Sequence, residues 1–150
     1  MALPVTSADL ETFYSAQDIT DVDAVDAAWV TQAAAGAQFA VHQFKNFVGT
    51  EIQGSVTWTG QTDDVTNAII LQIWNEQGGV WETIDQVPGL YNGAAHESYQ
   101  GQDLAFLTSQ LFYGNPPVNT DIVLSGHIPD LTAYKDPSNV ITCRVYQEAP

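Results

Sequence analysis

The stretch Ala68 to Asp85, AIILQIWNEQGGVWETID, constrains this chain more than any other. Ile69, Leu71 and Ile73 alternate with Ile70, Gln72 and Trp74, and a period of two places the two sets on opposite faces of an extended strand. Asn75 to Gly79 then supply polar residues and glycines able to take a positive φ, after which β-branched and aromatic residues resume at Val80, Trp81, Thr83 and Ile84. Strand, tight turn and strand predict an antiparallel hairpin.

The same period recurs elsewhere. In EIQGSVTWTG, Ile52, Gly54, Val56 and Trp58 share one face, and Glu51, Gln53, Ser55, Thr57 and Thr59 share the other, as in a strand wet on one side. From Thr120 to Ile128, Ile122, Leu124, Gly126 and Ile128 alternate with Val123, Ser125 and His127, and Pro129 closes the strand. PDLTAYKDPSN is turn chemistry, and Val140 to Gln147 is the last strand, with Ile141, Cys143 and Val145 inward and Thr142, Arg144 and Tyr146 outward. FAVHQFKNF, Phe39 to Phe47, is also strand-like, but its apolar register slips between Val41 and Phe44, which predicts a bulge or twist. These segments make six strands, with one or two more near the N-terminus and no helical period between them. The fold class is therefore all-β, a two-sheet antiparallel sandwich. Ile52, Val56, Ile69, Leu71, Ile73, Ile122, Leu124, Ile141 and Val145 form its expected core.

Two parts resist periodic reading. Residues 1–36 are irregular: Phe13, Tyr14, Ile19, Val22, Val25, Trp29 and Val30 keep no 3.6-residue stripe, so short extended segments and turns are expected, with room for one short helix. Pro88 to Asn119 is a long insertion broken by Pro88, Gly89, Gly93, Gly101, Gly114, Pro116 and Pro117. A loop of such length inside a compact domain is functional or carries short elements of its own, and Leu104 to Tyr113 reads as one, strand or helix. Residues 1–150 together make a single β-sandwich domain, since a chain of this length buries roughly 70% of its unfolded surface.

Charge excludes whole classes of partner. Eighteen acids against three bases (Lys45, Lys135 and Arg144) give a net charge of −15, which phosphate backbones and anionic membrane surfaces repel. Neither nucleic acid nor membrane is expected. MALPVTSADL has no basic n-region and no apolar h-region, so synthesis in a cytoplasm without a classical export signal is expected. Cys143 is the single cysteine, which leaves no intrachain disulfide, and its inward strand position makes it core packing.

No catalytic motif is assembled: there is no HExxH, CxxC, GxSxG or glycine-rich phosphate loop, so no enzyme activity is expected. His42 and His127 fall on outward strand positions and read as surface histidines. The run DITDVDAVD gathers Asp18, Asp21, Asp23 and Asp26, carboxylates of the kind a hard cation such as calcium requires, with a solvated acidic loop as the plainer reading. No other cofactor is implied. Trp74, Trp81 and Tyr91 are candidates for stacking on sugar rings; the plainer reading is core or subunit-interface packing.

QFAVHQFKNF, SVTWTGQT, IILQIWNEQGGVWETID and DLTAYKDPSNVITCRVYQE together resemble a small jelly-roll domain, similar to galactose-binding-like modules, found in structural proteins of tailed viruses and in some extracellular proteins. The resemblance covers most of residues 36–87 and 119–148 and departs at Pro88 to Asn119, where a short connection is expected. It implies a two-sheet antiparallel jelly roll and a virion structural role in a tailed virus (bacteriophage): a capsid decoration (cement) protein or a small tail or fibre component. Its partners would be other virion proteins, major capsid or tail subunits, and further copies of itself in a homo-oligomer; its location would be the virion. The insertion would then be an assembly arm, with Tyr91, Tyr99, Phe106, Leu111, Phe112 and Tyr113 as partner-binding candidates. The alternative is a carbohydrate-binding module of an extracellular or adhesion protein.

Overall fold

Alternating apolar positions produce the strands in the computed structural model, which describes residues 1–10, 14–22, 29–87, 116 and 118–150. In chain order the elements are α1 (Ala16–Asp21), β1 (Phe39–Phe47), β2 (Gly54–Gly60), β3 (Ile69–Asn75), β4 (Val80–Val87), β5 (Ile122–Ile128) and β6 (Val140–Glu148). The β3–β4 hairpin closes as its sequence requires. The Asn75 side chain accepts from the Gly78 N–H at 2.7 Å, its carbonyl accepts from Gly79 at 2.8 Å, and Gly79 takes a φ of +63°, which a residue without Cβ adopts at no cost.

Pairing is nested and antiparallel throughout: β1 with β6, β2 with β5, β3 with β4. This is one long hairpin, tipped by the Asn75–Val80 turn and folded over itself, which is jelly-roll winding. The chain changes sheet at every connection except β3–β4. One sheet has the order β1-β6-β3-β4 and the other holds β2 and β5.

Between the sheets, Ile69, Leu71, Ile73, Ile141, Cys143 and Val145 of the larger meet Val56, Ile122, Leu124 and Ile128 of the smaller, with Leu131 from the loop after β5. One expected core residue is misplaced. Ile52 is 71% exposed, because β2 begins only at Gly54 and Ile52 lies in the preceding loop. There its carbonyl accepts the Leu131 N–H at 2.8 Å. Leu131, 2% exposed, packs against Gly54, where an added Cβ would stand 3.4 Å from Leu131 Cδ1.

The bulge expected in β1 is absent, since β1 runs in unbroken register against β6 from Phe39↔Glu148 to Phe47↔Val140. Its apolar residues shift because both faces are covered. Phe44, opposite Cys143, packs on the inter-sheet core, while Val41, opposite Tyr146, is fully buried on the other side. The bulge lies instead in β4: Leu71 pairs with Asp85 and Gln72 with Thr83, leaving Ile84 as the extra residue. Ile84 reaches across to β5, where a Cβ on Gly126 would come within 2.1 Å of its Cγ2.

The outer face of the larger sheet is covered by the N-terminal segment. Phe39 N–H donates to the Met1 carbonyl at 2.9 Å, Gln43 Nε2 to Ala8 at 3.1 Å and Arg144 Nη1 to Pro4 at 2.7 Å, while Lys45 pairs with Asp9 at 2.6 Å. Thr142 and Arg144 do point away from the core, as alternation requires, yet they are 6% and 5% exposed. Residues 33–37 are not helical despite their alanines, and Ala37 takes a φ of +64°.

Leu71 and Ile52 provide a matched test of this packing. Leu71→Ala should cost about 2–5 kcal/mol by vacating a closed site, whereas Ile52→Ala should stay within about 0.5 kcal/mol. Urea unfolding of the two variants distinguishes a buried from an exposed position, and equal losses would contradict the placement of Ile52.

Candidate functional site

Among the described residues, the two strands of the smaller sheet do not cover all four of the larger. The larger opening that results is a cleft of about 920 Å³ on the β2 side, bounded by Tyr14, Trp29, His42, Trp58 and Asp63 among others. Trp58 lies on the inner face of β2 with its ring over Gly60, where a Cβ would stand 2.2 Å from the ring. His42 is opposite Val145 in the β1–β6 ladder and therefore faces inward, which corrects the outward position expected from alternation. It is half-buried, hydrogen-bonded through Nδ1 to the Tyr14 hydroxyl, with its ring 6.4 Å from that of Trp58. Burial pushes His42 down to about 4, so the imidazole is neutral at pH 7. Burial, and then the charge of Asp18, push the Tyr14 phenol up to about 12.

The rim is tied to the insertion. Val118 forms a parallel bridge with Thr62, and the Asn119 N–H donates to the Thr62 carbonyl at 2.8 Å. Gln147 braces the same loop, donating to the carbonyls of Asp64 and Asn67 at 2.9 Å each. Asp64 is pushed up by its small burial but held lower overall by hydrogen bonds from Thr66 and Asn67, so it stays ionised.

A second group of aromatics occupies the outer face of the larger sheet. Gln43, Arg144, Gln72 and Thr83 form a row across all four strands. Arg144 donates through Nε and Nη2 to Gln72 Oε1 at 2.9 and 2.8 Å, and its guanidinium lies 4.0 Å from the Trp81 ring centroid and 5.3 Å from that of Tyr146. Trp74 is 7% exposed, donates to Glu76 at 2.7 Å and meets Trp81 edge-on at 5.5 Å. Of the residues expected to stack on sugars, Trp74 is thus buried, Trp81 has a guanidinium over its ring, and Tyr91 lies outside the described residues.

Asp18 and Asp21 share α1, while Asp23 and Asp26 lie outside the described residues. The Asp18 carboxylate accepts the Ser15 N–H at 2.8 Å, and Ser15 Oγ accepts the Asp18 N–H at 3.1 Å, closing a capping box. The backbone hydrogen bond from Ser15 to the carboxylate, and then one from the Ser15 side chain, hold Asp18 below the usual carboxylate range. The spacing Ser15-x-x-Asp18 is the local signal for this helix. Asp21 accepts from Gln17 Nε2 at 2.7 Å. Among the described residues, no three His, Cys, Asp or Glu side chains converge on a metal-sized site.

His127 is exposed, 3.4 Å from Ser55 Oγ. Cys143 is 1% exposed and burial pushes its thiol up to about 12, which leaves it without thiolate character. The candidates Tyr91, Tyr99, Phe106, Leu111, Phe112 and Tyr113 lie outside the described residues. Comparison with protein-family models, with curated proteins and with solved structures yields no match.

The buried histidine predicts a pH dependence. The unfolded chain takes up a proton at His42 near its ordinary value of 6.5 and the folded chain only near 4. Stability from the neutral ring is therefore complete above pH 6.5 and falls as pH drops toward 4, by about 2–3 kcal/mol between pH 7 and pH 4.5. His42→Gln should lose correspondingly less over the same interval in urea unfolding; parallel losses in both proteins would contradict a buried neutral His42.

Proposed function

We propose that this chain is a virion structural protein, a capsid decoration (cement) protein or a small tail or fibre component, that acts by protein–protein assembly. The observation that carries the reading is the position of the insertion on a jelly-roll scaffold. Residues 88–117 leave from β4, the outermost strand of the larger sheet among the described residues, and the chain returns at Val118 and Asn119, which are fastened to Thr62 at the rim of the cleft. Their sequence includes Leu90, Tyr91, Tyr99, Leu104, Phe106, Leu107, Leu111, Phe112 and Tyr113, a large apolar load for a connection between two strands. Apolar groups in such number call for a covering surface, and a neighbouring subunit supplies one. The net charge of −15 suits a partner with a basic face and speeds encounter with it.

The second reading, a carbohydrate-binding module, draws on the same cleft, whose walls combine the rings of Trp29 and Trp58 with the amides of Gln61 and Asn119. The two differ in what the isolated chain does. A module of that kind binds glycans alone, whereas an assembly protein requires its particle.

Replacement of residues 88–115 by a short Gly-Ser linker tests the assembly reading. The variant should remain a soluble, folded sandwich that no longer oligomerises in sedimentation analysis and no longer co-sediments with assembled particles. Retained attachment would move the partner surface elsewhere on the sandwich, and loss of folding would show that the segment belongs to the core.

A further inference from the structure

We infer that the cleft bounded by Tyr14, Trp29 and Trp58 is a receptor for an arginine side chain of a partner protein. The inference deepens the assembly reading and rests on it for the partner being a protein.

Charge is the first argument. The walls carry Asp21, Asp63 and Glu148 and include no lysine or arginine. All three bases of the chain are engaged elsewhere: Lys45 with Asp9 at 2.6 Å, Lys135 with the carbonyls of Gly49 and Glu51, and Arg144 with Pro4 and Gln72. Among the described residues of the walls the basic group is His42, which burial keeps neutral. Asp63 is exposed and has no hydrogen-bond or ion-pair partner among the described residues. A cation that enters this space meets carboxylates and no competing positive charge.

Aromatic walls are the second argument, and they select guanidinium over ammonium. Guanidinium is the more weakly hydrated ion, and its planar faces stack on rings while its edges donate to oxygen. The chain uses that combination once internally, where Arg144 lies 4.0 Å from the Trp81 ring and donates to a carbonyl and an amide oxygen. Trp29 is 43% exposed, so part of its ring surface remains open to an incoming side chain. The volume of about 920 Å³ admits the aliphatic stem along with the head group.

Titration of the 15N-labelled full chain with the peptide acetyl-Gly-Ser-Arg-Ser-Gly-amide tests the assignment without any particle. The twin peptide with citrulline in place of arginine has the same shape and no charge. The arginine peptide should move the indole N–H resonances of Trp29 and Trp58 saturably and leave Trp74 in place. Citrulline should bind at least about tenfold more weakly, and Asp63→Asn and Trp29→Ala should each weaken arginine binding by about threefold or more with the melting temperature unchanged. No saturable shift, equal binding of the two peptides, or shifts confined to Trp74 and Trp81 would each overturn the assignment. Peptide binding without particle attachment would defeat the assembly reading alone, and attachment without peptide binding would defeat this one alone.

Discussion

Everything in this fold depends on the ladder between β3 and β6, which pairs Ile69 with Gln147 through to Ile73 with Cys143. Without it, β1–β6 and β3–β4 would be separate two-stranded ribbons, and such ribbons are marginal in water. With it, they become one sheet whose inner face sets Ile69, Leu71 and Ile73 beside Cys143 and Val145. Strand β6 consequently has neighbours on both edges and cover on both faces, which is why Thr142 and Arg144 are nearly as buried as the apolar residues between them. A cation in that position tolerates burial because carbonyl and amide oxygens meet its N–H groups and aromatic faces meet its plane. Among the described residues Arg144 does this without a carboxylate, and it couples the start of the chain, at Pro4, to the centre of the sheet.

The mismatch of four described strands against two has a structural consequence. Packed antiparallel sheets build their core from side chains of both inner faces, and among the described residues the wider sheet extends beyond the narrower one. The chain compensates with loops and with its N-terminal region. Leu131 fills the place beside Gly54, and Tyr14 stands against His42. On the β2 side the described residues leave the cleft.

Electrostatics and packing meet at the same place. Each of the three bases fastens one part of the chain to another: Lys45 and Arg144 hold the N-terminal segment, and Lys135 holds the turn at Gly49 and Glu51. Their use as internal fasteners leaves the remaining surface strongly acidic. A net charge of −15 attracts basic surfaces and repels acidic ones, an effect that weakens as salt rises.

The sequence by itself determined the strands and their tip. Period two in Ile69 to Trp74, Gly54 to Trp58, Ile122 to Ile128 and Ile141 to Tyr146 was legible because alternation is a local property of extended backbone, and the Asn75–Gly79 turn was legible because its chemistry is local too. Alternation shows that a strand has two faces without showing what each face meets. Alternation extends β2 to Ile52 although the strand starts two residues later, it puts His42 outward because Val41 is apolar and yet buried on the opposite face, and it puts Arg144 outward without showing the N-terminal segment that covers it. Tyr14, His42, Trp58 and Asp63 come from separate stretches of the chain and share no spacing that marks them as one site. Only tertiary structure brought them to one cleft, since it alone decides that the hairpin folds back on itself and that the two described strands of one sheet face four of the other.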